Sequence, residues 1–327
     1  MKSHIKLLLK VLFVFGLLFF LGKKGFISLD QTQRAITQWQ YSLPGFLGLV
    51  FTSTLGIIRW NWLLKAHDIE LPLPRVFQLT YVGNFFNIAL PGAVSGDFVK
   101  AFYVGKEAQG QQTKAFGSIL FDRVAGLSAL VVLSAAAFLV EMASLGDSKM
   151  LKAIQLFISV AAAIVILFYA YLFLVRESHD PLLRLLTWLE KKVPKLGFVA
   201  RVYQSLRHYH SHRVTVLKVL GISLIIHIII GWSLLQFTYA LGETQIPLLP
   251  MYVVFPIGVL VSSIPILPAG VGTGHAAFHY LFGLLGSQRG ADIFSLYALG
   301  QIIIGAFGGL IYLRFRASEP TPIPSSV

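Results

Sequence analysis

Five ionisable side chains stand where a membrane-crossing chain ordinarily carries Leu or Val: Arg59, Asp97, Lys100, Asp122 and Arg123. Charge at membrane depth is costly and marks a pathway, a relay or a binding site. Asp97 and Lys100 are three residues apart, so on a helix they share a face. Asp122 and Arg123 fall a turn or two into a long apolar stretch. The chemistry this set offers is anion recognition. An arginine fork grips phosphate through two parallel hydrogen bonds, and a lysine adds a point charge. Asp97 and Asp122 are the partners that hold these cations, Asp122 through Lys100 or Arg59. Two other readings compete. The carboxylates could act as the base or metal ligands of a transferase. The plainest reading is of ion pairs near helix ends, where long side chains reach the interface.

Two broken stretches would have to position these groups. Asn87-Ile-Ala-Leu-Pro-Gly-Ala-Val-Ser-Gly-Asp-Phe-Val-Lys100 interrupts an apolar run. Pro91 removes a backbone donor, and Gly92 and Gly96 permit sharp turns. Ile264-Pro-Ile-Leu-Pro-Ala-Gly-Val-Gly-Thr-Gly-His275 repeats the pattern, with Leu90-Pro91 matching Leu267-Pro268 and Val94 matching Val271. A Pro-Gly tip frees backbone N–H groups, and the short helix that follows aims its positive amino end at the tip. That adds Ser95, Gly270, Gly272 and Thr273 to the candidate site. Asn84 and Asn87 lie three apart beside the first tip and serve equally well as interhelical hydrogen-bonding residues, at about 1 kcal/mol each. His275 is either a proton-linked switch, its ordinary pKa being near neutral, or a helix-start residue with a satisfied hydrogen bond. His275 with His279, and His208 with His212, share helix faces, but two histidines without a third ligand are a weak metal signal. No metal and no cofactor are expected.

Composition excludes a soluble protein. The chain has 327 residues, 56% hydrophobic and 13% charged, about half the charge fraction of a soluble domain. The net charge of +13 would suggest nucleic acid in a soluble protein. Here the basic residues cluster between apolar runs, which the positive-inside rule accounts for without nucleic acid. There is no cysteine, hence no disulfide framework and no thiolate chemistry. Runs long enough to cross a bilayer cover Ile5–Leu21, Leu43–Leu64, Ala115–Leu145, Ile154–Val175, Val219–Leu241 and Ile293–Tyr312. Lys106–Lys114 reads as a polar linker. Arg176–Lys218 is the most basic segment, and its Leu182, Leu183, Leu186 and Leu189 have amphipathic spacing suited to a membrane surface.

The charges order the spans. With Arg176–Lys218 in the cytoplasm, Gly242–Pro250, which lacks Lys and Arg, falls outside, and Arg314 and Arg316 fall inside. Met251–Leu285 must then enter and leave on the outer side. Working backwards, Lys100–Lys114 and Arg59–Arg75 lie inside, so Val76–Tyr103 enters and leaves on the cytoplasmic side. The two broken stretches become opposed re-entrant hairpins, a transporter device.

Three pieces of the chain together resemble one family. They are Arg59-Trp-Asn-Trp-Leu-Leu64; Leu90-Pro-Gly…Gly-Asp-Phe-Val-Lys100 with Phe121-Asp-Arg-Val-Ala-Gly126; and Ser263-Ile-Pro-Ile…Pro268-Ala-Gly-Val-Gly272. They are similar to motifs of the lysylphosphatidylglycerol synthase transmembrane region family, flippase-like membrane proteins, and the resemblance covers nearly the whole chain. Many relatives carry Arg-Glu where this chain has Gly274-His275, so a carboxylate role is not carried over there. Relatives that attach lysine to phosphatidylglycerol carry a large soluble domain after the membrane part. This sequence ends at Val327, and the resemblance implies lipid movement rather than aminoacyl transfer. Some relatives are linked to polyisoprenoid-linked glycan assembly, which keeps a transferase reading open.

The expectation is an all-α, multi-pass integral membrane protein. Residues 1–316 form a single transmembrane domain with two opposed re-entrant hairpins, and residues 317–327 form a disordered tail. Both termini lie on the cytoplasmic side of the inner membrane. The expected function is translocation of a phosphate-bearing lipid whose anionic head group is held between the hairpin tips. The alternatives are a glycosyl- or phospho-transferase acting on a polyisoprenoid-linked lipid and a non-transporting scaffold. The pattern is compatible with a homo-oligomer.

Overall fold

The computed structural model describes residues 33, 36–90, 95–108, 110–141, 149–176, 179–194, 197–263, 270 and 272–315. All regular structure among them is helical. The helices are α1 (Trp39–Lys65), α2 (Leu73–Ala89), α3 (Ser95–Glu107), α4 (Gln112–Glu141), α5 (Lys149–Leu174), α6 (Pro181–Lys192), α7 (Gly197–Arg207), α8 (Arg213–Ala240), α9 (Leu248–Ser262), α10 (Thr273–Gly283) and α11 (Gly290–Arg314). A 3-10 turn, His208–Ser211, joins α7 to α8. Five helices, α1, α4, α5, α8 and α11, are long and apolar enough to cross a membrane. They match five of the six expected spans; Ile5–Leu21 lies outside the described residues, as does the tail. Helices are forced here, because a chain in hydrocarbon must satisfy its backbone hydrogen bonds within itself.

The expected linker Lys106–Lys114 is shorter than its polarity suggests. Helix α3 runs on to Glu107 and α4 begins at Gln112. Lys106, Glu107 and Lys114 are sound helix formers, and polarity alone does not end a helix. The basic segment Arg176–Lys218 likewise contains α6, α7 and the first turns of α8. Pro181 sits in the first turn of α6, and Asp180 caps it by accepting from the Leu183 N–H at 2.9 Å. Helix α6 buries none of its residues within the bundle.

The long helices have a clear direction. Helix α1 packs antiparallel along α8: Tyr41 meets Tyr239 edge-on, and Tyr209, just before α8, donates to the Leu63 carbonyl at 3.1 Å. One end of the bundle gathers the basic segment, the end of α1, the start of α2, the end of α3 and the end of α11. There Arg75 pairs through its guanidinium with Glu107, and its guanidinium carbon lies 4.3 Å from the centre of the Phe315 ring. The opposite end gathers Gly242–Ile246 and Leu285–Ser287 around a shared crevice.

Two helical pairs each start and finish at one of these ends. The α2–α3 pair begins and ends at the basic end, closed by Arg75 and Glu107. The α9–α10 pair begins and ends at the other, where its flanking residues share the crevice. Inside each pair the backbones come close. Gly96 faces the Gly83 carbonyl of α2, and a Cβ there would overlap it. Gly270 has φ +68° and sits against the Ser262 carbonyl, a left-handed position that favours glycine.

Among the described spans helix α5 is the outermost. It carries exposed Leu156, Ile164, Ile166, Leu167 and Leu174 and buries little beyond Ile154, Ile158 and Leu172. It is pinned at the basic end. Arg207, 2% exposed, donates to the Leu172 carbonyl at 3.0 Å and pairs with Asp180 at 2.9 Å, while Tyr171 and Tyr203 donate to the same carboxylate. Burial pushes the Asp180 carboxyl up, but the Leu183 N–H, the two tyrosine hydroxyls and Arg207 outweigh it and hold it below the usual carboxylate range.

Candidate anion-binding site

The five charged residues come together between α1, α3 and α4. Asp122 and Arg123 are neighbours on α4 and therefore point about 100° apart. Asp122 turns to α1, where Arg59 Nε donates to Oδ1 at 2.7 Å and Arg59 Nη2 to Oδ2 at 2.9 Å. The third arm of Arg59 donates to Ser223 Oγ on α8 at 2.9 Å. Arg123 turns to α3, where its Nε donates to Asp97 Oδ2 at 2.9 Å. Asp97 is 1% exposed, and its Oδ1 lies 3.2 Å from Lys100 Nζ. Lys100 Nζ also lies 4.7 Å from the centre of the Trp60 ring, within cation–π range. The Arg59–Asp122 pairing is one of the two expected. The attachment of Arg123 to Asp97 was not expected, because it depends on how α3 and α4 face each other and not on sequence spacing.

Two adjoining cavities open beside this network. The first, about 280 Å³, is lined by Arg59, Lys100, Asp122 and Arg123 together with Thr52, Ser53, Gly56, Trp60, Thr80, Asn84, Ile230, Tyr297 and Gln301. The second, about 220 Å³, is lined by Asn84, Asn87, Ile88, Arg123, Val259, Ser262, Ser263, Gly270, Tyr297 and Gln301. They share Asn84, Arg123, Tyr297 and Gln301. The second joins the end of α2 to the end of α9, so the two broken motifs meet there.

The candidate residues divide into three groups. Arg59, Asn84, Asn87, Lys100, Asp122, Arg123 and Gly270 line the cavities. Ser95, Gly96 and Asp97 support them from α3: Ser95 Oγ donates to the Phe86 carbonyl at 3.1 Å, and the Gly96 N–H donates to Asn87 Oδ1 at 2.8 Å. Those two bonds hold the start of α3 against the end of α2. Gly272, Thr273 and His275 sit apart, at the start of α10. Thr273 donates to the Gly270 carbonyl at 3.2 Å, His275 Nε2 lies 2.9 Å from Ser295 Oγ, and the Gly272 N–H donates to His275 Nδ1 at 3.3 Å. His275 thus sits where a satisfied helix-start residue belongs. Pro91, Gly92 and Pro268 lie outside the described residues.

The site contains residues that sequence spacing did not single out. Tyr297 and Gln301 are four apart on α11 and line both cavities. Gln301, a polar residue within an apolar span, was the available signal. Ser223 and His227 on α8 were missed for the same reason; His227 Nε2 lies 3.0 Å from the Gly126 carbonyl. The histidines near 210 do not form a three-ligand site. His67 and His208 stack at 4.8 Å, and no group of three metal-ligating side chains is found among the described residues.

The model of the lysylphosphatidylglycerol synthase transmembrane region matches residues 7–311. The chain belongs to that family. A membrane protein of the UPF0104 group from Pyrococcus horikoshii is 27% identical over 181 residues, 55% of this chain and 52% of that protein. Two UPF0104 membrane proteins of Methanothermobacter thermautotrophicus are 24% and 27% identical, over 76% and 67% of this chain and 76% and 68% of their own lengths. The chain thus spans about half the length of the first relative and more of the other two. No solved structure matches. Family and fold together make this a multi-pass, all-α membrane protein.

Proposed function

We propose that the protein translocates a phosphate-bearing lipid, holding the head group in the joined cavities while the hydrocarbon chains stay in the bilayer. The observation that carries this reading is that Arg123 lines both cavities, at the place where the two broken motifs meet. Arginine is the residue best suited to phosphate, and its carboxylate partner holds it in place. The cavities are small. Each falls just below the range of about 300–1,000 Å³ for drug-sized ligands, which suits a head group and not a whole lipid.

In this reading the α2–α3 and α9–α10 pairs are re-entrant hairpins entering a membrane from opposite sides, with the basic end in the cytoplasm. Opposed hairpins meeting near the midplane give a site that either face can reach by a small relative movement. Transport then requires the tips to be arranged differently in inward- and outward-open states.

The test is native mass spectrometry in gentle detergent, with lipid movement followed in proteoliposomes. Arg123→Ala is expected to lose the retained phospholipid and to slow translocation at least about tenfold, in line with loss of a charge-assisted contact, while still accumulating in the membrane. Unchanged lipid retention and movement in that variant would remove Arg123 from the site and overturn the reading.

A further inference from the structure

We infer that the cavity selects a phosphodiester with one negative charge and a neutral, hydroxyl-rich head group, and rejects a cationic head group. This rests on the lipid-binding reading above and names its substrate class. The argument begins with the charges. Arg59, Lys100 and Arg123 bring three positive charges, while Asp97 and Asp122 bring two negative ones. The network carries one excess positive charge, which a single phosphodiester balances. Both carboxylates are already engaged: Asp122 by two arms of Arg59, Asp97 by Arg123 and Lys100. Among the described residues no other carboxylate lines either cavity. A head group carrying an amine would bring a like charge to this network and find no carboxylate to receive it, a juxtaposition costly enough to exclude partners.

Much of the remaining described lining is polar and neutral. Asn84 and Gln301 line both cavities, and their side-chain amides hydrogen-bond to no other described residue. Each presents donors and an acceptor. The Thr52 and Ser53 hydroxyls donate to the Leu49 carbonyl at 2.7 and 3.2 Å, and Thr80 donates to the Val76 carbonyl at 2.8 Å. Their protons are spent within their own helices, and their lone pairs are left to accept. Hydroxyl groups supply the donors such a wall needs; a methylated or purely apolar head group does not.

The experiment uses the full chain. Purified protein is given equal amounts of phosphatidylglycerol and lysyl-phosphatidylglycerol, and retained lipid is read by native mass spectrometry. Translocation of each is then measured in proteoliposomes. The wild type is expected to prefer phosphatidylglycerol by at least about tenfold, and Gln301→Glu, which adds a carboxylate to the neutral wall, to narrow or reverse that preference by about tenfold. Equal or greater retention of the lysyl lipid by the wild type overturns the inference and leaves lipid translocation standing. Retention of neither lipid overturns both. Soluble glycerophosphoglycerol is added as competitor: failure to displace the lipid assigns the source to the membrane. Displacement at equal concentration supports the head-group chemistry and moves its source to a soluble phosphodiester.

Discussion

Two arginines of the site look alike in sequence and do different work. Arg59 is spent on the protein: two of its arms take both oxygens of Asp122 and a third reaches Ser223. Arg123 lines both cavities and is tied to Asp97 by its Nε. Spacing placed both near the site but could not divide these roles, because the division depends on which helix each side chain faces. Histidines show the same limit. His208 and His212 share a helix face in sequence, but spacing does not show that His208 lies 2.8 Å from the Ala66 carbonyl and stacks on His67 at the end of α1. Burial, helped by His208, Lys114 and His212, lowers the His67 pKa to about 3. A depressed folded-state value means that stability is whole above the unfolded pKa, near 6.5, and is lost as pH falls towards 3. Thermal unfolding is therefore expected to ease as pH drops from 7 to 5, by up to about 1.4 kcal/mol per pH unit below 6 from this residue. His67→Gln should flatten that dependence. An unchanged slope in the variant would assign the acid sensitivity elsewhere.

At the scale of elements, what the sequence made legible was interruption. Pro and Gly within apolar runs, followed by charge, marked both broken motifs, and the lengths of the flanking runs set apart five full spans from the shorter α2, α3, α9 and α10. Interruption does not reveal what faces the gap. Tyr297 and Gln301 sit on an unbroken helix, α11, and reach the cavities only because α11 packs along α2. The fit between α2 and α3 is equally tertiary. Gly96 meets the Gly83 carbonyl so closely that any side chain must push the pair apart. Gly96→Val is expected to destabilise the protein by about 1–3 kcal/mol, the usual cost of overpacking. It should also weaken phospholipid retention at least about tenfold, since a displaced Asp97 no longer holds a charge-assisted bond to Arg123. Melting temperature and native mass spectrometry read the two effects separately; wild-type behaviour in both would mean that the close approach is not needed.

For the whole molecule, the charges predicted which segments gather. The end of α1, Arg75 at the start of α2, Glu107 at the end of α3, His208 and the end of α11 do lie at one end of the bundle, and Gly242–Ile246 lies at the other. The meeting of the end of α2 with the end of α9 and Gly270 in one cavity is the feature on which transport would turn. With no native cysteine, Asn87→Cys and Ser262→Cys can be introduced cleanly, one on each side of the second cavity. A cleavable bifunctional thiol reagent joining them is expected to stop translocation, and reduction to restore it. Undiminished movement with the link in place would mean that the ends of α2 and α9 need not part. A separate consequence follows from the outermost span. Helix α5 turns most of its surface outward, and Arg207 and Asp180 hold it at the basic end. Its fit is therefore to the bilayer more than to neighbouring helices. In a thinner bilayer it can lean to match the hydrocarbon depth. Adaptation to a different host membrane should accordingly be written first in the residues of α5.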